Sequence, residues 1–489
     1  MRLAERVPTL APLGGLQVHG LCSDSRLAAA GDCFFAVPGE QNDGLGYAAE
    51  AVLRGAVAVV SEKPAPVAVP NVVVGNVRQV LAQAARAFFG LDASYPKYAG
   101  VTGTNGKTTT TYVFEAIGRA AGAKVGLLGT IEQRLGDKSW PATHTTLEAL
   151  PLAQRLVEMR RAGADWAVME VSSHGLALQR VDALRFSLAA FSNLTPDHLD
   201  FHGTMREYGD AKARLFGDLM TSDGCAVINV DGAGAERMLA AVPAGARTLR
   251  VGRTDGADVR LVGAESTRVG LALQVESPLG RLELSSELIG DFNIDNLLLG
   301  VGMAVGAGFS REQIVRGVER LRRVPGRLSK VVAKDGRLAF VDYAHTPDAL
   351  VRVLATVRPL CKGRLICVFG CGGDRDRSKR RVMGEAVAHG ADVAIVTSDN
   401  PRTESPEAII AEVVPGLNAL PTWQVGASKG WLSIVDRSAA IAEAARLQRP
   451  DDVVIVAGKG HETYQILGAE KRHFDDLEQL EAAYLEPRQ

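Results

Sequence analysis

The segment Gly103-Thr104-Asn105-Gly106-Lys107-Thr108-Thr109 follows a short apolar run at 98–101 and precedes a helix-like stretch at 110–121. A strand that feeds a glycine loop opening directly into a helix fixes a parallel α/β unit, because the helix must pack back onto the strand's own sheet. The same order suits an oligophosphate. Glycines let backbone N–H groups approach closely, and the positive end of the helix faces the negative charge. Lys107 has the reach for terminal phosphates, and the Thr108 hydroxyl is a hard oxygen ligand for Mg²⁺. Loops of this kind usually carry a glycine where Val101 stands, so this one is a shortened variant.

At 489 residues the chain is too long for one hydrophobic core, and three domains are expected. A net charge of −1 supplies no field toward nucleic acid or a membrane surface, so neither is expected as a partner. No run reaches membrane-spanning length, and residues 1–40 lack the apolar core of a leader peptide. A cytoplasmic monomer is expected. Cys22, Cys33, Cys225, Cys361, Cys367 and Cys371 show no paired metal-ligand spacing and read as free thiols in a reducing compartment.

Residues 1–95 mix short apolar runs with Gly/Pro turns, and 91–96 reads as a linker. From 96 to 328, buried-looking strands at 124–128, 166–171, 188–191 and 225–229 alternate with helical patterns, as in a parallel sheet covered by helices. A patch at 248–288 alternates polar and apolar residues and reads as more antiparallel; a helical run follows at 293–307. The chain turns at Val324-Pro325-Gly326-Arg327, and 329–489 alternates again, with strands at 365–369, 393–397 and 453–457. The expected fold class is therefore α/β in three domains.

Polar residues gather behind these strands. Glu170 ends one, ahead of Ser172-Ser173-His174-Gly175, where an acid beside a phosphate loop is placed to hold Mg²⁺ or, more plainly, to cap a loop. Asn193 to Gly203 carries Asp197, His198, Asp200 and His202; histidine there is either a ligand or a structural hydrogen-bonder. Lys212, within an apolar-patterned helical stretch, reads from pattern alone as a surface lysine with its amine in water. In the last region, loops at 370–376, 398–404 and 458–462 follow three strands and would line one crevice with Arg375, Arg402 and Glu462. Guanidinium suits carboxylate and glutamate suits ammonium, so the crevice suits a zwitterionic amino acid with an extra carboxylate. Taken alone, 374–381 also reads as a solvated charge run at a helix start.

Together these motifs resemble the Mur ligase family over nearly the whole chain. They are Asp24-Ser25-Arg26 with Gly31-Asp32, the loop Gly103–Thr109, Glu170 to Gly175, Asn193 with Asp197-His198-Leu199-Asp200, Asp342 to Pro347, and Asp399-Asn400-Pro401-Arg402. The last, with Gly458 to Glu462, resembles the branch that adds the third amino acid. The resemblance implies an N-terminal uridine nucleotide-binding α/β domain, a central ATPase domain with a parallel sheet, and a Rossmann-like C-terminal domain. It implies amide formation between meso-diaminopimelate and the D-glutamate γ-carboxyl of UDP-N-acetylmuramoyl-L-Ala-D-Glu, through an acyl phosphate made with ATP, for peptidoglycan synthesis.

Site residues carry over by motif. Gly103, Thr104, Asn105, Gly106, Lys107, Thr108, Thr109, Asn293, Arg327 and Asp342 match nucleotide contacts of the family. Thr108, Glu170, His198 and Lys212 match Mg²⁺-site positions; Lys107, His198 and Lys212 match catalytic ones. Lys212 aligns with the family lysine carbamylated by CO₂ (N6-carboxylysine). Ser23, Ser25, Glu40, Gln41, Asn42, His144, Thr145, Thr146, Ser172 and Arg180 match contacts to the UDP-linked dipeptide. Leu178 stands where some members have a glutamine, with Gln179 beside it. Arg375, Asp399, Asn400, Pro401, Arg402, Gly458 and Glu462 match the diaminopimelate pocket. Two rivals are a folylpolyglutamate synthase-like ligase, which does not need the first domain or Asp399 to Arg402, and a nucleotide switch, which leaves the three C-terminal loops unexplained. Ligation implies rigid-body domain motion about 325–330.

Overall fold

The computed structural model describes every residue except 40–41, 93–95, 269 and 486–489. The chain divides into two compact units: Met1–Ala264 with Leu273–Leu284 and Ile294–Arg320, and Glu265–Ala272 with Ser285–Asn293 and Leu321–Gln489.

The first unit opens with a four-stranded parallel sheet, Gly20–Cys22, Asp32–Phe35, Ala58–Ser61 and Asn71–Val73. The helix Val77–Phe89 covers it; Asn76 caps its start by accepting from the Gln79 N–H, and Gly90 ends it at a left-handed φ of 61°. The central sheet is built around the strand Lys97–Thr102. That strand pairs in parallel with Trp166–Glu170 on one side and Phe186–Phe191 on the other. Val125–Leu128 extends the parallel run beyond Trp166–Glu170, and Met220–Asn229 extends it beyond Phe186–Phe191. Trp166–Glu170 and Phe186–Phe191 are buried almost throughout, which explains their mostly apolar composition, broken only by Ser187 and the terminal Glu170.

One expectation fails in this unit. The strand Arg247–Gly252, expected in an antiparallel patch, pairs in parallel with both Met220–Asn229 and Val259–Ser266. The helix Ala235–Ala241 supplies the crossover that a parallel connection needs. The polar alternation arises because only Leu249, Val251 and Gly252 of this strand are buried.

The second unit holds a six-stranded sheet in the order Ser329–Val332, Leu338–Asp342, Val453–Ala457, Leu365–Cys371, Val393–Ser398, Gly430–Ser433. The first pair is antiparallel and the rest are parallel. Leaving Leu338–Asp342, the chain skips one position to Leu365–Cys371, and Val453–Ala457 fills that gap last. The carboxyl ends of four neighbouring parallel strands thus meet at a topological switch point, where open α/β sheets bind ligands. A hairpin, Tyr464–Leu467 with Glu470–His473, follows the last of them.

Candidate functional site

In the first unit the loop after Lys97–Thr102 is shaped by its neighbours. Gly103 has φ 140° and Gly106 φ 87°, and a Cβ on either would overlap the Ser192 hydroxyl or the Asn296 amide oxygen, respectively. Only glycine fits there. Thr104 N donates to Asn193 O at 2.8 Å and Asn105 N to Asn193 Oδ1 at 3.0 Å, so the 193 segment clamps the loop. Gly106 begins the helix Lys107–Ala120 without a side-chain cap. The first N–H groups of that helix therefore face outward for an anion. Lys107 Nζ donates to Gly103 O and Thr104 O, both at 2.9 Å, and so lies folded over the loop.

Glu170, 2% exposed, accepts from Thr108 Oγ1 at 2.9 Å, from Thr130 N at 2.8 Å and from Thr130 Oγ1 at 3.1 Å. This joins the end of one strand to the first turn of the helix after the glycine loop, with the Thr108 hydroxyl and the Glu170 carboxylate as hard oxygens side by side. Among the described residues no group of three or more His, Cys, Asp or Glu is arranged to hold a metal ion. A hydroxyl and one carboxylate still fit Mg²⁺, which keeps most of its waters and takes further oxygens from substrate phosphates.

Lys212 lies on the buried face of the helix Met205–Gly217, whose start carries a Thr204/Glu207 capping box. It is 1% exposed, its Nζ donates to Gly103 O at 2.9 Å, and it sits 4.5 Å from the Tyr208 ring centre. The surface reading from pattern alone is overturned. Burial, then the Lys107 charge, push its amine well below the ordinary lysine range, against a smaller pull from Asp197. Tyr208 also shares a 3.0 Å hydrogen bond with Thr104 Oγ1. His198, exposed and at φ 53°, packs against His174 at 4.7 Å between ring centres. His202 contacts both His174 and Tyr208, and burial, then the charges of His174, Lys212 and His198, lower it to about 4.

Beside this, Thr146 Oγ1 donates to Glu170 O at 2.9 Å and lies 3.1 Å from Ser172 Oγ, while Arg180 donates to Thr146 O and pairs with Glu148 at 2.6 Å. Thr145 accepts from Thr130 Oγ1, so it too belongs to this cluster. His144 is exposed, its ring nitrogen 3.3 Å from Thr143 Oγ1. Next in sequence to Arg180, the side-chain oxygen of Gln179 is buried and has no hydrogen-bond partner among the described residues. In the N-terminal sheet Ser25 donates to Glu50 at 2.6 Å, Ser23 and Asn42 are exposed, and Glu40 and Gln41 lie outside the described residues.

In the second unit three loops converge. Asn400 Nδ2 donates to Glu462 Oε2 at 2.8 Å, and Lys459, 0% exposed, donates to Asn400 Oδ1 at 3.0 Å. Arg402, at φ 53°, extends its guanidinium to Gly373 O at 2.7 Å, and Pro401 precedes it. Gly458 has φ 122°, and a Cβ on it would meet Arg437 and Asp399. Arg375 is exposed next to these loops. The 374–381 run is only partly a solvated one: Arg380 is buried and pairs with Glu404 at 2.7 Å and Glu412 at 2.9 Å. Asp342 accepts from the N–H groups of Leu328 and Ala344, Arg327 lies 5.6 Å from the Tyr343 ring, and Asn293 donates to Ile289 O. Thr130, Ser192, Tyr208, Asn296, Arg380 and Arg437 were not foreseen. Asn296 alone gave a signal, one helical turn beyond Asn293.

Three family models match the chain: the Mur ligase middle domain at 101–304, the Mur ligase glutamate ligase domain at 326–460, and the Mur ligase family catalytic domain at 17–89. A Geobacter metallireducens protein named UDP-N-acetylmuramoyl-L-alanyl-D-glutamate–2,6-diaminopimelate ligase is 44% identical, with 99% of each chain covered. A solved structure of a ligase with the same name is 36% identical, with TM-score 0.71 over 96% of this chain and 94% of the other. A MurF ligase from Thermotoga maritima, solved with ADP, shares the fold at 19% identity, with TM-score 0.63 over 96% and 99% of the two chains.

Proposed function

We infer the activity of this chain from one premise: it belongs to the Mur ligase family. It is an ATP-dependent amide ligase of peptidoglycan precursor synthesis, joining 2,6-diaminopimelate to UDP-N-acetylmuramoyl-L-alanyl-D-glutamate. The observation that carries the amino acid assignment beyond the family is that the Arg402 guanidinium, bonded to Gly373 O and Asn400 O, lies beside the residue whose side chain holds Glu462. A guanidinium beside an acid suits the distal carboxylate and ammonium of diaminopimelate, whereas lysine offers only the ammonium.

The reaction follows from elementary needs. A carboxylate is a poor electrophile, so an oxygen of the D-glutamate γ-carboxylate attacks the γ-phosphorus of ATP, and ADP leaves. The neutral amine of meso-diaminopimelate then attacks the acyl carbon, inorganic phosphate departs with the C–O bond, and the nitrogen loses a proton. The chain's own part is positioning and charge neutralisation. The N–H groups of 104–109 and Lys107 hold the phosphates. Ser172, Thr146 and Arg180 hold the dipeptide end of the acceptor, and Ser23, Ser25 and 40–42 its uridine end. Thr108, Glu170 and His198 would hold Mg²⁺, which when bound draws charge from the phosphate oxygens. Lys212 is the carbamylation site. Its depressed basicity supports this, because only the neutral amine attacks CO₂, forming an N–C bond, releasing one proton and leaving an anionic carbamate. The protein acts as a cytoplasmic monomer; among the described residues no helix is long and apolar enough to cross a membrane.

Phosphate release from ATP tests the reading. It should require the UDP-linked dipeptide and diaminopimelate together. Release that ignores the amino acid would fit a switch, and release with a folate acceptor would fit the folylpolyglutamate-type rival.

A further inference from the structure

Behind the amino acid crevice lies a lysine that the reading above does not use. Lys459 is fully enclosed, which a charged lysine tolerates only when paired. Its Nζ donates to Asn400 Oδ1 at 3.0 Å and to Tyr464 O at 2.6 Å. It faces Asp399 Oδ1 at 3.5 Å and Glu462 Oε2 at 3.6 Å. That Asp399 oxygen is buried and has no hydrogen-bond partner. The other ions near it cancel each other: Arg437 and Asp476, both fully enclosed, bond to one another twice at 2.7 Å. Two carboxylates and one ammonium remain, so the cluster carries one net negative charge beside the Arg402 guanidinium; Arg375, next to these loops, is exposed and its charge is screened by solvent.

We propose that Lys459 is a specificity-positioning residue: by cancelling one of the two acid charges of Asp399 and Glu462, it matches the crevice to an amino acid whose distal end is a zwitterion. This rests on the amino acid pocket assigned above. A substrate end bearing one ammonium and one carboxylate leaves no charge over. One bearing only an ammonium leaves Arg402 uncompensated, and one bearing only a carboxylate leaves an acid uncompensated. Lys459 also fixes orientation. Its bond to Asn400 Oδ1 forces the amide to present its NH₂ to Glu462 Oε2, which among the described residues leaves Glu462 Oε1 for an ammonium.

The test uses the full-length enzyme with meso-diaminopimelate and with lysine, comparing kcat/KM for each. In Lys459→Met the crevice gains one net negative charge, and the preference for diaminopimelate over lysine should fall by about 10-fold or more, a shift of about 1.4 kcal/mol. The KM for ATP should stay unchanged. In Lys459→Met/Asp399→Asn, which removes one charge of each sign, the preference should recover even where both rates remain low. A purely structural role predicts equal losses for both amino acids and no recovery, and that result overturns the proposal. Lys459→Gln, which keeps a donor but no charge, should behave as Lys459→Met does and serves if the methionine variant does not fold. If Arg402→Ala leaves diaminopimelate use intact, the pocket assignment itself fails, whatever the Lys459 variants show.

Discussion

Lys212 Nζ donates to the carbonyl oxygen of Gly103 at 2.9 Å, so a fully buried lysine touches the glycine loop at 103–109. An amine held there, with no acid in ion-pair contact among the described residues and only a weaker pull from Asp197, is costly as a cation and available as a nucleophile. Lys212→Ala should lose turnover by about 100-fold or more, in line with removing one preorganised charged group. A short carboxylic acid added to the assay should restore part of it by occupying the carbamate's place. Normal activity without the acid would refute the role.

The same lysine sets a pH dependence of stability. Its folded-state value lies well below the ordinary one, so between the two the unfolded chain holds a proton that the native state lacks. Stability therefore rises with pH across that window, up to about 10.4. Lys212→Met should flatten the rise and unfold at higher denaturant than the parent near neutral pH. Urea midpoints in CO₂-free buffer, from about pH 7 to about pH 10, measure both effects.

Gly103→Ala adds a methyl group where the Ser192 hydroxyl already lies, at a backbone φ of 140°. The loop must shift, and the N–H groups shift with it. Calorimetric titration with ATP should show binding weakened by at least about 10-fold, while the unfolding temperature falls by a few degrees, as strain of about 1–3 kcal/mol implies.

Arg402→Ala should raise the KM for diaminopimelate by about 30-fold or more, the loss of a charge-paired contact, with the KM for ATP within about a factor of two. Steady-state kinetics with each substrate varied in turn checks this. Equal rises in both would show that the change disrupts the domain rather than the pocket.

Arg380 ties the two pocket loops together through Glu404. Its guanidinium, then the Asp374 N–H, hold the Glu404 carboxyl down at about 2. A depressed carboxyl contributes stability above its unfolded value of about 4.3, and that contribution fades as pH falls toward 2. Arg380→Met should be less stable at neutral pH and lose less stability on acidification through that window. Acid-unfolding curves of the two proteins would show it.

Much of this was legible in the chain itself. Strand positions followed from unbroken apolar runs such as 453–457, since strands buried on both faces need no alternation. The phosphate loop was legible because glycine, lysine and threonine at that spacing serve a single backbone geometry. Arg247–Gly252 misled because one-sided burial imitates an antiparallel pattern even in a strand paired on both sides. Lys212 was hidden for a different reason. Helical periodicity places a residue on a face but does not say that the face is dry, and family resemblance alone moved it inside. Tyr208, Ser192 and Arg380 act through partners distant in sequence, which no local pattern reveals.

The most direct test is the mass of the product formed from ATP, UDP-N-acetylmuramoyl-L-Ala-D-Glu and an equimolar mixture of lysine and meso-diaminopimelate. A UDP-linked tripeptide carrying diaminopimelate, with the lysine adduct at a few per cent or less, is the predicted result. Equal amounts of both adducts, or no adduct despite ATP turnover, would contradict the assignment.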